Sequence, residues 1–319
     1  MPRKLTLLIL VFAVISAVPH VAQAADPNLV GWWKLDEGSG LTTEDSSGSG
    51  IEGAITGGQW VSPGWHGGGW CLELANDGYV DLGNPAVLDF STGDWTITAW
   101  IRNSMTGTGD ANKGTIYAKG GDNSGGHRYT LAVSEFTEGV ITLTTDDNVT
   151  KCQATASTRV NDGEWHFVVG MRRATAILVY TDGQEEGSNT TLSATYNLSG
   201  TSQHNGYLGA ITANDTSALF KTYDGVIDDV RVFKKALSQA DMDFVMQDIG
   251  AADTAHDPDP SDQATDVLRD TTLRWMAGET AVTHDVYFGT VFDDVNNASR
   301  ANPLGVLVSQ GQSDATYDL

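Results

Sequence analysis

The carboxylates and the large aromatic side chains are where this sequence could do chemistry. Glu185-Glu186 and Asp228-Asp229 stand as adjacent acidic pairs. Hydrolysis of a glycosidic bond needs two carboxyl groups facing each other across that bond, one of them a general acid. Neighbouring residues of a strand point to opposite faces, so neither pair meets the need alone. No G-x-S-x-G, H-E-x-x-H or phosphate-binding loop occurs. The seven histidines are scattered, and His166, inside a strand pattern, reads as packed or solvent-facing rather than as a base. The residues therefore predict a chain that is not an enzyme.

Aromatic rings carry the other chemistry. Trp32, Tyr79 and Trp100 fall with the polar partners of their strands, not with the apolar set. Large aromatics exposed on a sheet face are unusual. Such rings offer sugars an apolar platform beside which Asp or Arg can bond hydroxyls. These three are the candidate ligand-binding residues. If loops fold over that face instead, the rings become interior. Trp60 and Trp65, in a Gly-rich loop, are a weaker second set, and Trp33, Trp95 and Trp165 are expected in the core.

Strands must position these groups. Clusters of Gly, Ser, Thr, Asn and Asp recur about every dozen residues with short apolar runs between them, which is the all-β pattern. The stretch Glu164–Gly183 reads as a hairpin. Trp165, Phe167, Val169 and Met171 share one face, and His166, Val168, Gly170 and Arg172 the other, a period of two that marks a half-buried strand. Ala176–Tyr180 is apolar on both faces and is expected inside a sheet. A turn is expected at Arg172–Thr175 and another opening at Asp182-Gly183. Further strands are expected at 29–35, 94–102, 115–119, 127–134, 140–144, 149–156, 206–211 and 223–233, with a hairpin of 70–75 and 79–83 around Asn76-Asp77-Gly78. Ser238 with Asp241 three residues on predicts a helix N-terminus, stapled by Leu237 and Met242 and running to about Gln247.

The fragments LVGWWKLDEGSG, DSSGSG, GYVDLGN, DFSTGDWTITAWIR, EWHFVVGMRR, LVYTDG and YDGVIDDVRVFKKALSQADM follow in that order. Together they resemble the bacterial laminin-G-like jelly-roll domain, a concanavalin A-like fold, over residues 25–250. The resemblance implies an all-β, two-sheet antiparallel jelly-roll sandwich, a fold that hosts lectins, adhesion modules and glycosidases alike. The Glu-x-Asp-x-Glu strand signature of its glucanases is absent. Residues 251–264 read as a linker. In residues 265–319, Thr272-Leu-Arg-Trp275 and His284–Gly289 resemble the first half of a fibronectin-III-like sandwich. A sandwich of that kind needs about seven strands, so an incomplete second domain is expected, in a chain that is a fragment or ends early.

Residues 1–24 read as an export signal, with Arg3-Lys4, an apolar run from Leu5 to Val18 and the small-x-small site Ala22-Gln23-Ala24. No other stretch is apolar and long enough to cross a bilayer, so no membrane insertion is expected after signal cleavage. The expected location is secreted or cell surface. The formal charge is −23, and removing Arg3 and Lys4 takes it to −25. A field of that sign repels nucleic acid and anionic lipid. An oxidising compartment permits a Cys71–Cys152 disulfide. It would close about 80 residues and add about 4 kcal/mol in the chain-entropy model, with two buried thiols as the alternative.

In such a sandwich the first and last strands are expected to be neighbours. Paired antiparallel, they would bring Asp36 and Glu37 near Asp224 and Asp228, with Asp77 in a turn that could join them. Gathered carboxylates repel one another unless a cation lies between them, and oxygen ligands suit calcium. Asp36, Asp77 and Asp228 are the candidate metal ligands for a structural calcium, against simple turn and cap roles. The expected function is a secreted, non-catalytic binding module of a larger multidomain surface protein. Its expected partner is a glycan or a cell-surface or extracellular-matrix component. The alternative is an accessory domain of a polysaccharide-degrading enzyme whose catalytic part is not in this chain.

Overall fold

The structure is a computed structural model that describes residues 26–109, 113–122, 127–213, 218–246, 256–260, 271–276, 283–291, 294–295, 298–300 and 302–318. The expected export signal, residues 1–24, lies outside the described residues. The chain divides into two compact units, Ala25–Gln247 and one that takes in Asp248–Leu319.

The first unit opens with β1 (Leu29–Trp33), β2 (Thr42–Thr43), β3 (Gly53–Val61), β4 (Cys71–Asp81) and β5 (Trp95–Arg102). Next come β6 (Gly114–Asp122), β7 (Arg128–Val133), β8 (Val140–Asp146) and β9 (Lys151–Arg159). β10 (His166–Arg173), β11 (Ala176–Thr181), β12 (Gln184–Asn189), β13 (Gly206–Leu208), β14 (Ile211–Ala213), β15 (Leu219–Phe220) and β16 (Gly225–Phe233) complete the strands. The helix α1 (Gln239–Met246) closes the unit. The main ladder runs β12-β11-β10-β5-β16-β4-β13-β6-β7-β8-β9, with β1 on β16 and β3 on β4. It curls back on itself. Asn189 of β12 donates from Nδ2 to the Gln153 carbonyl of β9 at 3.0 Å, and Glu186 accepts from the Thr158 hydroxyl at 2.7 Å. Two antiparallel layers result, the all-β jelly-roll sandwich that the sequence predicts.

Between the layers lie Trp33, Leu72, Trp95, Ile97, Leu131, Leu143, Val168 and Val179, all buried. Each comes from a stripe of period two, because alternate residues of a pleated strand share a face. The two strands of the central hairpin meet through the turn Ala174-Thr175, with Ala174 at φ 53°, and β11 leaves through Asp182-Gly183 at φ 49° and 77°. The first strand of the hairpin is not half-buried as expected, whereas Ala176–Tyr180 lies inside the sheet, between β10 and β12, as expected. Phe167, Val169, Met171, Leu178 and Tyr180 face away from the main core, yet they are buried in a second cluster with Leu237, Met242 and Val245. The helix α1 roofs that outer face. Trp165, expected in the core, is only half-buried, with the Arg102 guanidinium 4.9 Å from its ring.

The α1 entry is as the sequence predicts. The Asp241 amide donates to Ser238 Oγ at 3.1 Å, and Asp241 Oδ2 accepts from the Ser238 amide at 3.0 Å. The reciprocal bonds form a capping box, and Leu237 and Met242 share the cluster beneath it. Ser238→Ala is expected to cost about 1 kcal/mol, read as a small fall in melting temperature.

Three expectations need correction. The Asn76-Asp77-Gly78 hairpin is instead an irregularity within one continuous strand. β3 pairs with β4 on both sides of it, Thr56 with Tyr79 and Gly58 with Leu74, and Asp77 sits at φ 65°. The Cys71–Cys152 disulfide is not formed, and both thiols are free and buried. Cys152 faces the core, whereas Cys71 lies against the carbonyls of Val61 and Pro63, and four strands of the ladder stand between β4 and β9. Strands β3 and β12 were not expected at all.

The second unit holds β17 (His256–Asp259), β18 (Thr272–Met276), β19 (His284–Tyr287), β20 (Leu307–Gln312) and β21 (Thr316–Asp318). β17, β18 and β21 form one sheet, and β19 pairs with β20. β17 falls inside the stretch expected to be a linker. Leu273, Trp275 and Val286 form a small buried cluster, and Arg300 Nη2 donates to Asp285 at 2.7 Å. Among the described residues no helix is long and apolar enough to cross a membrane.

Candidate functional site

The last strand carries the feature that builds the site. β1 and β16 pair antiparallel, with Trp32 opposite Arg231. On its other side β16 pairs with β5, Asp228 opposite Trp100 and Arg231 opposite Thr98, so β16 holds one residue more than β5 between these points. This is a β-bulge, and Asp229 takes φ 43° there. Adjacent strand residues ordinarily diverge, which is why the sequence argues against a shared face for Asp228-Asp229. The bulge re-aims them, and both carboxylates lie on the outer side of the sheet, each 3% exposed.

Asp229 Oδ1 accepts from Trp32 Nε1 at 2.6 Å and from Arg231 Nε at 3.0 Å. Two cations, Lys34 and Arg231, each lie 4.3 Å from the centre of the Trp32 ring. Trp32 is only 6% exposed. It stands on the non-core face, as its spacing predicts, but it organises a buried network rather than offering a free platform.

Residues 62–70 fold over the rest of this face, and two carboxylates hold them there. Asp228 Oδ2 accepts from the Trp65 amide and Asp36 Oδ1 from the Trp70 amide, both at 3.0 Å. Glycine is required at both anchors. A Cβ on Gly64 would stand 2.8 Å from Asp228 Oδ2, and one on Gly69 would stand 2.6 Å from Asp36 Oδ1. So held, Trp65 lies flat on Trp100, centroids 4.1 Å apart and planes at 10°, and His66 stacks on Trp65 at 3.9 Å. Trp100 in turn leans on Phe167 at 5.5 Å. Trp100 is therefore covered by the loop, and the surface passes to Trp65, His66 and Trp70, of which Trp70 is 42% exposed. Trp60 is half-buried and packs against the main core instead, its indole N–H donating to the Gly40 carbonyl at 3.0 Å.

Tyr79, the third expected ligand residue, stands apart in an edge contact with Tyr207, centroids 6.1 Å apart. Asp77 also stands apart, accepting from the Thr222 hydroxyl at 2.8 Å. Asp36 and Asp228 do come together, as antiparallel pairing of first and last strands predicts. Burial pushes the Asp228 carboxyl up to about 8, with Asp229 and Asp36 adding to the shift and the Trp65 amide opposing it. Both Asp228 oxygens accept backbone N–H groups, from Trp65 and from Asp229 at 2.9 Å. Calcium takes six to eight oxygens. Two carboxylates already serving amides, with Asp77 elsewhere, do not fit that ion, and among the described residues no group of three or more His, Cys, Asp or Glu gathers as metal ligands.

His166 has a structural post. It bonds Asp182 at 2.8 Å and Asp162 at 3.2 Å, and Asp182 also accepts the Phe167 amide at 2.9 Å. Burial works against its charge, but the two carboxylates outweigh burial and hold its pKa above the usual imidazole value. The ring, bonded to Asp182 and Asp162, braces the Asp182-Gly183 turn.

A profile of the concanavalin A-like lectin/glucanases superfamily matches residues 74–242. No curated protein sequence matches the chain. Among solved structures, the binding domain of Paraclostridial Mosquitocidal Protein 1 is 14% identical with a TM-score of 0.53, over 70% of this chain and 52% of that one. Domain 4 of AbnA, a GH43 extracellular arabinanase from Geobacillus stearothermophilus solved in complex with arabinotriose, is 18% identical with a TM-score of 0.52, over 69% of this chain and 98% of that one. A structure of botulinum neurotoxin type C, whose cell entry is dependent upon interaction with two ganglioside molecules, is 14% identical with a TM-score of 0.51, over 86% of this chain and 64% of that one. The chain thus spans about half the length of the first of these and nearly all of the second, and at these identities the likeness is one of fold.

Proposed function

Because the chain belongs to the concanavalin A-like lectin/glucanases superfamily, we propose that its first unit is a non-catalytic carbohydrate-binding module, exported to the cell surface or the medium within a larger protein. One observation carries this reading: a surface loop presents Trp65, His66 and Trp70 while two carboxylates pin it at Trp65 and Trp70. Rings held in place lose little freedom when a sugar stacks on them, so more of the contact energy appears as affinity. Glycans bound by two neighbours of the fold, an arabinanase domain and a neurotoxin, support the same class of ligand. An accessory role beside a polysaccharide-degrading catalytic domain uses this surface in the same way.

Catalysis by the raised carboxyl is disfavoured by its position. Asp228 lies beneath the loop with both oxygens engaged, so it meets no glycosidic oxygen. The test is a glycan array on the full chain, followed by titration of the best neutral oligosaccharide. Trp70→Ala is expected to weaken binding by at least about tenfold, the loss of one aromatic anchor. Affinity equal to the parent's in both Trp70→Ala and Trp65→Ala, or hydrolysis of the titrant, overturns the proposal.

A further inference from the structure

The Trp65–Trp100 stack has a neighbour on the same face. Strand register sets two rungs across the outer side of the sheet. The first joins Asp228, Trp100 and Phe167; the second joins Glu73, Val226 and Arg102. Trp165 extends the second rung, its ring 4.9 Å from the Arg102 guanidinium. Arg102 stands two residues beyond Trp100 on β5, a step of about 7 Å along an extended strand. Trp65 covers the first rung. The second stays partly open, for Glu73, Arg102 and Trp165 are each half-buried and still meet solvent.

Arg102 has given up water without gaining an acceptor. The chain sets 41 Asp and Glu against 18 Lys and Arg, so carboxylate partners are plentiful. Yet among the described residues the Arg102 guanidinium makes no ion pair and no hydrogen bond, and its contact is with the Trp165 ring. Contact with an aromatic face holds the planar fork and leaves its N–H donors for another group. Charge then decides what that group is. Burial pushes the Cys71 thiol up, Asp228, Asp36 and Glu73 add to this, and Arg102 opposes it. One cation and three carboxyl groups therefore lie about the pinned loop, in a chain of −23. A field of that sign turns away an anionic sugar. It leaves the guanidinium to neutral oxygen acceptors.

We propose that Arg102 is the hydrogen-bonding arm of the carbohydrate site. A neutral saccharide stacks on the loop that carries Trp65, His66 and Trp70, and adjacent hydroxyls of the sugar accept from the Arg102 fork. Trp165 is the positioning residue that holds the fork. This assignment deepens the carbohydrate-binding reading above and rests on it. Hydrogen bonds from an ionised donor are stronger than those from a neutral one. A fork already held against a ring loses little freedom on binding.

The experiment titrates the full chain with arabinotriose, xylotriose, cellotriose and mannotriose, and with trigalacturonic acid. The best of the neutral trisaccharides is expected to bind at least about tenfold tighter than the acid, with little change as salt rises. Against that trisaccharide Arg102→Met is expected to weaken binding about tenfold at an unchanged melting temperature. Should Arg102→Met disturb folding, Arg102→Lys decides: it keeps the stem and the charge, lacks the fork, and is expected to lose about threefold. Trp165→Leu is expected to weaken the parent about threefold and to change nothing further in Arg102→Met, because it acts through the guanidinium. Equal losses from Trp165→Leu in both backgrounds overturn its positioning role. Parent affinity in Arg102→Met and Arg102→Lys, or tighter binding of the acid, overturns the inference. If Trp70→Ala still weakens binding in that case, the aromatic reading stands without Arg102. A chain that binds none of these saccharides overturns both.

Discussion

Asp228→Asn is expected to lower the melting temperature at pH 4 and raise it at pH 9. The folded chain holds this carboxyl at about 8 against an ordinary 3.8. Below pH 4 it is protonated folded or unfolded, and burial costs nothing extra. Between pH 4 and 8 only the unfolded chain loses the proton readily, so stability falls as pH rises, by up to about 1.4 kcal/mol per unit. Above pH 8 the full penalty stands. Relaxation around the bulge reduces it to on the order of 3 kcal/mol. Asparagine removes that charge, but it offers one acceptor oxygen where Asp228 serves both the Trp65 and Asp229 amides. The lost bond costs about 1 kcal/mol at every pH. The two terms cross between pH 4 and 8. At pH 9 a net gain of about 2 kcal/mol corresponds to roughly 4–8 °C in a unit of this size. Thermal melts of both proteins at both pH values check this, and a shift of one sign throughout would falsify the buried-acid account of the bulge.

The second large effect is expected at the helix. Met242→Asp should destabilise the first unit by about 3–4 kcal/mol, a loss of packing plus a buried charge. Met242 is 1% exposed and packs with Phe167, Val169, Met171 and Tyr180 on the outer face of the central hairpin. If α1 lifts, that apolar surface meets water as one patch, so dye binding or self-association is expected with the fall in melting temperature. A variant that melts within about a degree of the parent, as a surface change does, shows that the helix is not the roof of this face.

Local signals were legible and long-range ones were not. The stripes of 95–101 and 140–144 reveal strands because one side meets the core and the other does not. Ser238 and Asp241 reveal α1 because a capping box is written within four residues. Trp32 and Trp100 were placed on the correct face, since alternation needs only the strand itself. That loops can cover them is legible as the alternative; which loop does so is not, because the Trp65 amide and Asp228 are 163 residues apart. The same reason hides the bulge, whose extra residue exists only relative to β5. Strand β3 escaped because Gly53–Val61 is rich in glycine and takes its order from β4. Asp36 and Asp228 come together from the strand order that the jelly-roll resemblance implies. Asp77 was misplaced because a turn-forming triplet serves equally well as an interruption inside one strand.

Cys71 gives the clamped loop an internal reporter. Its sulfur is fully enclosed against Val61 and Pro63, and burial, with Asp228 next in strength, pushes its thiol up to about 12. The thiolate is the reactive form, so alkylating reagents reach this sulfur at the pace at which residues 62–70 detach and readmit water. Mapped at Cys71, apart from the other buried thiol Cys152, alkylation thereby times the opening of the loop that carries Trp65, His66 and Trp70, with no label to be engineered.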